Sequence, residues 1–233
     1  MMRIFIYLLL LSCLVMSHVA QAAPQNIVDP WESFNRRIFN FNETLDCYLI
    51  KPAARIYVRM VPNPVERGIG RFFNNLGETT TFANQLLQAK WMPASQTSGR
   101  FLINSTVGLL GFIDVATRMG LPQYDEDFGQ TLGYWGLSSG PYLVLPIIGP
   151  SSVRDAAGLL PQYFVTDPTV HAGEAERYDL YAISVTQSRA KLLSVDSATT
   201  GDKYTFIRDV YFQRRAFFIK DGQVQDEFLD NSW

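Results

Sequence analysis

The chain has 233 residues, with 20 Lys and Arg against 22 Asp and Glu and a formal net charge of −2. A balance so close to neutral leaves no basic footprint for nucleic acid and no polybasic patch for anionic headgroups. Beyond residue 22 one cysteine, Cys47, and one histidine, His171, remain, too few for a zinc site of ordinary composition, while 47 % hydrophobic and 13 % aromatic residues put the chain at the top of the globular range.

Residues 1–22 read as a secretory signal. Arg3 is the positive n-region, Ile4 to Met16 the apolar core, and Ala20-Gln21-Ala22 the small-x-small site, with cleavage before Ala23. Leu10-Leu11-Ser12-Cys13 loosely matches a lipobox, in which Cys13 would carry an acyl anchor. Leu11 before the serine fits that pattern poorly, and the Ala-x-Ala rule favours cleavage after Ala22. Cys47 is then the one cysteine left, so no intrachain disulfide forms and stability comes from burial. No mature segment has the length of a membrane span. Phe101 to Ala116 comes nearest, and Asn104, Ser105 and Asp114 interrupt it. An exported, aromatic-rich chain of this kind turns apolar surface toward lipid or a partner.

Asp29-Pro30-Trp31-Glu32 predicts a helix start, with Asp29 as cap and Pro30 at the first helical position. Apolar residues at Trp31, Phe34, Ile38, Phe41, Leu45 and Tyr48 form one helical stripe, which Pro52 breaks. Asn35, Asn40 and Asn42 stand among the aromatics and need partners if buried. After Pro62-Asn63-Pro64 a second helix runs from Val65 to Gly77, and Thr79 or Thr80 starts a third toward Trp91. Pro93-Ala94-Ser95 restarts the chain into a helix over Ser98 to Met119, which Gly120-Leu121-Pro122 ends.

The stretch from Asp125 to Asp155 is the most distinctive. Asp125-Glu126-Asp127 leads into a glycine-punctuated segment, then an aliphatic run bounded by Gly140-Pro141 and Gly149-Pro150. Those residues force turns, so the run is held in a bent shape. Ser151 to Leu160 reads as a short helix ended by Pro161. Asp167-Pro168 opens a longer one through Tyr178, Tyr181, Ala182 and Val185, and Lys203 to Phe218 is the last. The pattern gives a mainly α, single-domain chain: signal 1–22, helical domain 23–220, polar tail 221–233.

Chemistry is sparsely advertised. Gly136-Leu137-Ser138-Ser139-Gly140 formally matches the nucleophile elbow of hydrolases, with His171 and Asp155 as conceivable partners of Ser138. The elbow needs a strand before the serine and a helix after it, and neither pattern is present. The Asp125–Asp127 triplet lacks calcium-loop spacing and reads as a solvated face or the approach to a helix N-terminus. No phosphate-cradling loop occurs, and no cofactor or metal is called for.

Four separated motifs resemble the MlaA (VacJ) family of outer-membrane phospholipid-transport lipoproteins. They are Asp29-Pro30-Trp31-Glu32-Ser33-Phe34-Asn35-Arg36 with Phe39-Asn40-Phe41-Asn42; Gly99-Arg100-Phe101 through Gly111-Phe112-Ile113-Asp114; Phe128 to Gly133 with Gly140 to Asp155; and Tyr211-Phe212-Gln213-Arg214-Arg215. The resemblance implies a ring of amphipathic helices around a central channel, with one Gly/Pro-rich hairpin loop, lying in the periplasmic leaflet of a Gram-negative outer membrane. It implies non-enzymatic removal of phospholipid from the outer leaflet, association with a trimeric porin, and delivery to the periplasmic carrier MlaC. Members are usually lipoproteins, so the poor lipobox at Cys13 is a departure.

Aromatics interleaved with amides give apolar walls with neutral hydrogen-bonding groups and no fixed charge to trap a headgroup. Phe39, Phe41 and Asn42 are therefore expected to line or brace a lipid path, and Gly140, Pro141, Pro146, Gly149 and Pro150 to frame a gating loop. The alternatives are a secreted serine esterase using Ser138, and a periplasmic scaffold that binds porin and moves no lipid.

Overall fold

The computed structural model describes residues 29–163, 173–194, 196 and 201–222. The signal segment with Cys13, the stretch holding Asp167-Pro168 and His171, and the tail from 223 lie outside the described residues.

Helix α1 (Glu32–Leu45) begins without a side-chain cap. Asp29, expected as that cap, instead accepts from Asn35 Nδ2 at 2.9 Å and from the Tyr204 hydroxyl, so tertiary partners outcompete the helix end. Nor does Pro52 break the helix. The chain widens into a π turn over Asp46–Ile50 and runs on as α2 (Lys51–Met60). A proline ends an α-helix because it donates no bond and its ring meets the carbonyl four residues back. The wider turn, in which the Lys51 N–H reaches the Asp46 carbonyl, relieves both.

Helix α3 (Asn63–Leu87) passes straight through Gly77, where a stop was expected. A mid-helix glycine costs only about 1 kcal/mol against alanine, and packing along α4 (Trp91–Thr106) outweighs it. Helix α4 starts before Pro93, which sits in its tolerant first turn, and ends at Thr106 instead of reaching Met119. Leu109, Leu110 and Gly111 follow with φ of 51°, 58° and 94°, a left-handed run that no helix accommodates. The short α5 (Val115–Arg118) resumes behind an Asp114 cap, and Gly120 at φ 84° stops it as expected.

Helix α6 (Phe128–Tyr134) is capped by Asp127, which accepts from the Gln130 N–H at 2.8 Å. Strands β1 (Tyr142–Leu145) and β2 (Gly149–Ser152) pair antiparallel, Tyr142 opposite Ser152 and Leu145 opposite Gly149. Ser152 then caps α7 (Val153–Pro161), in which Pro161 is the last residue. Helices α8 (Glu174–Leu192) and α9 (Lys203–Ile219) complete the described chain.

The elements form a closed circuit. Helix α1 continues into α2, α2 packs on α8, α8 on α3, α3 on α6, α6 on α7 and α9, and both of these on the hairpin, whose first strand returns to α1. The interior is polar to an unusual degree. Arg100, Gln85, Gln88, Asn84, Thr97 and Thr131 are fully buried, and the main apolar cluster is Tyr142, Val144 and Tyr204 with Phe39, Tyr211 and Phe212 around it. Large apolar side chains are exposed instead: Tyr48 is 81 % exposed, Met60 76 % and Trp91 69 %. This reverses the usual partition between inside and surface.

Candidate functional site: a clamped hairpin beside paired cavities

Two asparagines of α1 hold the hairpin as a neighbouring strand would. Asn35, fully buried, donates from Nδ2 to the Tyr142 carbonyl at 3.0 Å and accepts from the Val144 N–H at 3.0 Å. Asn42 repeats the pattern three residues along, donating to the Leu145 carbonyl at 2.9 Å and accepting from the Ile147 N–H at 2.8 Å. The repeat works because two periods match. Seven helical residues rise about 10.5 Å, and three extended residues advance roughly 10 Å. The amides noted in the sequence are thus the edge partners of β1, while Asn40 stays exposed.

Phe39 packs edge-on to Tyr204 at 5.6 Å between centroids, and Phe41 is 51 % exposed. The loop's turns rest on Gly140 and Gly149, at φ 67° and 97°. Pro141 accepts from the Val153 N–H at 3.1 Å, Pro150 lies in β2 opposite Val144, and the exposed Pro146 accepts from the Ile148 N–H at 2.8 Å. That last bond closes a three-residue turn over Ile147, whose φ of 69° is costly for a β-branched side chain.

The hairpin's base sits on a charge network. Arg215 pairs with Asp127 through both terminal nitrogens and with Asp155 at 2.8 Å, while Tyr211 and Arg154 also reach Asp155. Burial pushes the Asp127 carboxyl up, but the Arg215 guanidinium outweighs it and holds the group below its ordinary value. Burial and the nearby Asp155 raise the Tyr211 hydroxyl well above its usual range. Gly129 is what lets these groups meet, since a Cβ there would lie 2.5 Å from Asp155 Oδ1 and 2.7 Å from Arg215 Nη2.

A second buried network ties α3 to α4. Arg100 donates to Glu78 at 2.9 Å, to Thr117 at 3.0 Å and to the Leu121 carbonyl at 2.7 Å. Burial raises the Glu78 carboxyl despite Arg100.

Ser138 is exposed on the turn between α6 and β1, flanked by Gly136 at φ 92° and Gly140. A helix precedes it and a strand follows, the reverse of a nucleophile elbow, and Asp155 is already committed to Arg154, Arg215 and Tyr211.

Two cavities adjoin through shared walls. One, of about 580 Å³, is walled mainly by polar groups: Asn74, Thr80 and Thr81 of α3, with Gln123, Asp125 and Asp127 opposite. The other, of about 440 Å³, has Pro93, Phe217 and Phe218 among its walls. Tyr124, Asp125, Glu126 and Phe218 line both. None of Phe39, Phe41, Asn42 or the Gly140–Pro150 loop lines either cavity. The sequence signal for this site was the acidic triplet, whose spacing said nothing of a cavity because Asn74 and Thr80 approach it from a distant helix.

Comparison with known proteins places these features. The family model "MlaA lipoprotein" matches residues 27–218. The intermembrane phospholipid transport system lipoprotein MlaA of Escherichia coli is 34 % identical over 213 residues, 88 % of this chain and 83 % of that one. Its Haemophilus influenzae counterpart is 32 % identical, over 84 % and 81 % respectively. An uncharacterized protein of Rickettsia felis is 35 % identical over 69 % of this chain, which spans 64 % of that relative's length. A solved structure described as the structural basis for maintenance of bacterial outer membrane lipid asymmetry superposes with a TM-score of 0.74 at 31 % identity, covering 82 % of this chain and 99 % of that one.

Proposed function

The chain belongs to the MlaA lipoprotein family, and from that premise we propose that it moves phospholipids between membranes and so maintains the lipid asymmetry of a bacterial outer membrane, without enzymatic chemistry. The observation that carries this reading is the adjoining pair of cavities, one mainly polar and one mainly apolar, in a chain whose helices close a circuit and expose large apolar side chains. A phospholipid is itself a polar head joined to apolar tails, and a site of two abutting compartments accommodates both at once. The exposed Tyr48, Met60, Trp91 and Leu109 suit a protein surrounded by acyl chains. Among the described residues no helix is long and apolar enough to cross a membrane. Embedding in the periplasmic leaflet alone is consistent with that geometry.

In this reading phospholipid leaves the outer leaflet, passes through the protein and is handed to the periplasmic carrier MlaC, with a trimeric porin as the partner in the membrane. The hairpin from Gly140 to Pro150, which walls neither cavity, gates the approach to the passage, its turns resting on Gly140 and Gly149, and Asn42 with Phe39 braces it from α1, Phe41 standing exposed beside them. Two measurements test the proposal. In cells lacking the protein, outer-leaflet phospholipid rises and re-expression lowers it again; no rise on deletion refutes transport in this direction. A disulfide between Cys residues placed at Asn42 and Leu145, with Cys47→Ser, locks the hairpin to α1. Outer-leaflet phospholipid that does not change on oxidation removes the gate while leaving transport intact.

A further inference from the structure

The wall shared by the two cavities carries Asp125 and Glu126, with Asp127 following on the larger cavity alone, and the structure separates the three acids by what each already holds. Glu126, 6 % exposed, accepts from Gln88 Nε2 and from Lys90 Nζ, each at 2.9 Å. Asp127 is paired with Arg215 and caps α6. Asp125 differs. Its charged partner is Arg214 at 3.5 Å, with the two side chains 65 % and 68 % exposed. A pair this open is worth little, because water screens both charges. The Asp125 carbonyl accepts from Gln130 Nε2 at 3.1 Å, which anchors the backbone that carries the carboxylate.

Lys90, the lysine among the cavity-lining residues, is held by Glu126 and Asp221. The compartments therefore meet at a carboxylate largely free to take a cation, where the head of an amphiphile spanning both would lie. We propose that Asp125 is a headgroup-selecting residue, favouring phospholipids whose head ends in an ammonium over those with a net anionic head. The inference rests on the phospholipid reading above and extends it to substrate class. Asp125 attracts the ammonium, while Asn74, Thr81 and Gln123 offer neutral polar groups to the rest of the head. An anionic head without an ammonium meets the same carboxylate as a repulsive charge. Burial raises the Asp125 carboxyl and the neighbouring Asp127 adds to this, while Arg214 and Arg215 oppose it.

The test uses purified mature protein in vesicles of equimolar phosphatidylethanolamine and phosphatidylglycerol, with bound lipid extracted and quantified by mass spectrometry. The wild type should enrich phosphatidylethanolamine, and Asp125→Asn should lower the bound ratio about threefold, the size of one accessible charge contact, at unchanged total lipid. Arg214→Ala, which frees the carboxylate, should move the ratio the other way and guards against a folding artefact in the first variant. An unchanged ratio in both variants with normal total lipid overturns the role of Asp125 and leaves phospholipid binding standing. No bound phospholipid in the wild type overturns the transport reading itself.

Discussion

Asn35→Ala tests whether the hairpin is held by amide side chains acting as a missing strand. The substitution removes the donor to the Tyr142 carbonyl and the acceptor for the Val144 N–H, and both residues are within 1 % of full burial. Water cannot replace those bonds. Each buried group left unpaired costs about 1–3 kcal/mol, so the domain should lose roughly 2–6 kcal/mol. Asn42→Ala removes the same two kinds of bond, but from the hairpin tip, where the Ile147 amide is exposed and water steps in. Its cost should be about 0.5–1.5 kcal/mol. Thermal unfolding in detergent measures the difference, and hydrogen exchange locates it. Asn42→Ala should release the Ile147 amide while Val144 stays protected, whereas Asn35→Ala should deprotect Val144. Equal destabilisation by the two, or a Val144 amide indifferent to Asn35, would refute the reasoning.

Glu78→Ala should destabilise by about 1–3 kcal/mol in the same unfolding assay, because it leaves the buried Arg100 Nε unpaired while Asp114, Thr117 and the Leu121 carbonyl still hold the rest of the guanidinium. A change below 1 kcal/mol would show the pair to be dispensable. Gly129→Ala should cost about 1–3 kcal/mol by driving a methyl into Asp155 and Arg215. Gly77→Ala, with nothing within 4 Å of the added carbon, should instead stabilise by roughly 0.5–1 kcal/mol. The two glycines respond alike only if the packing is misassigned. Arg215 holds the Asp127 carboxyl below its unfolded value, so this group's contribution is present above the ordinary carboxylate range. It is lost as pH falls through the lowered value, because the unfolded chain takes up the proton first. Asp127→Asn should therefore flatten the acid limb of a stability–pH curve, and an unaltered limb counts against the pairing.

The helices α1 and α9 were legible because each carries a long apolar period, and Lys203–Ile219 lies within one residue of its expected span, whereas α3 was expected as two helices, one ending at Gly77 and one starting at Thr79 or Thr80. Punctuation misled where tertiary structure overruled it. Pro52 is absorbed by a π turn and Gly77 by packing on α4, and neither neighbour is visible in a local window. Asn35 and Asn42 announced that buried amides want partners, but the partner strand lies more than a hundred residues downstream. The hairpin came from family resemblance, since a strand of four residues whose partner reads Gly-Pro-Ser-Ser carries little period of its own. The cavities were the least legible element. Their walls come from α3, the 123–127 segment, the chain after α7, and α9, and no single motif contains them.

Placing a photo-crosslinking residue at Thr80 or Phe218 on the cavity walls, and at Leu109 on the outer surface, tests the central claim in living cells. A phospholipid conduit predicts crosslinked phospholipid at Thr80 and Phe218 as well as at Leu109. Adducts confined to Leu109, with Thr80 and Phe218 free of lipid, would mean that phospholipid surrounds this protein without passing through it.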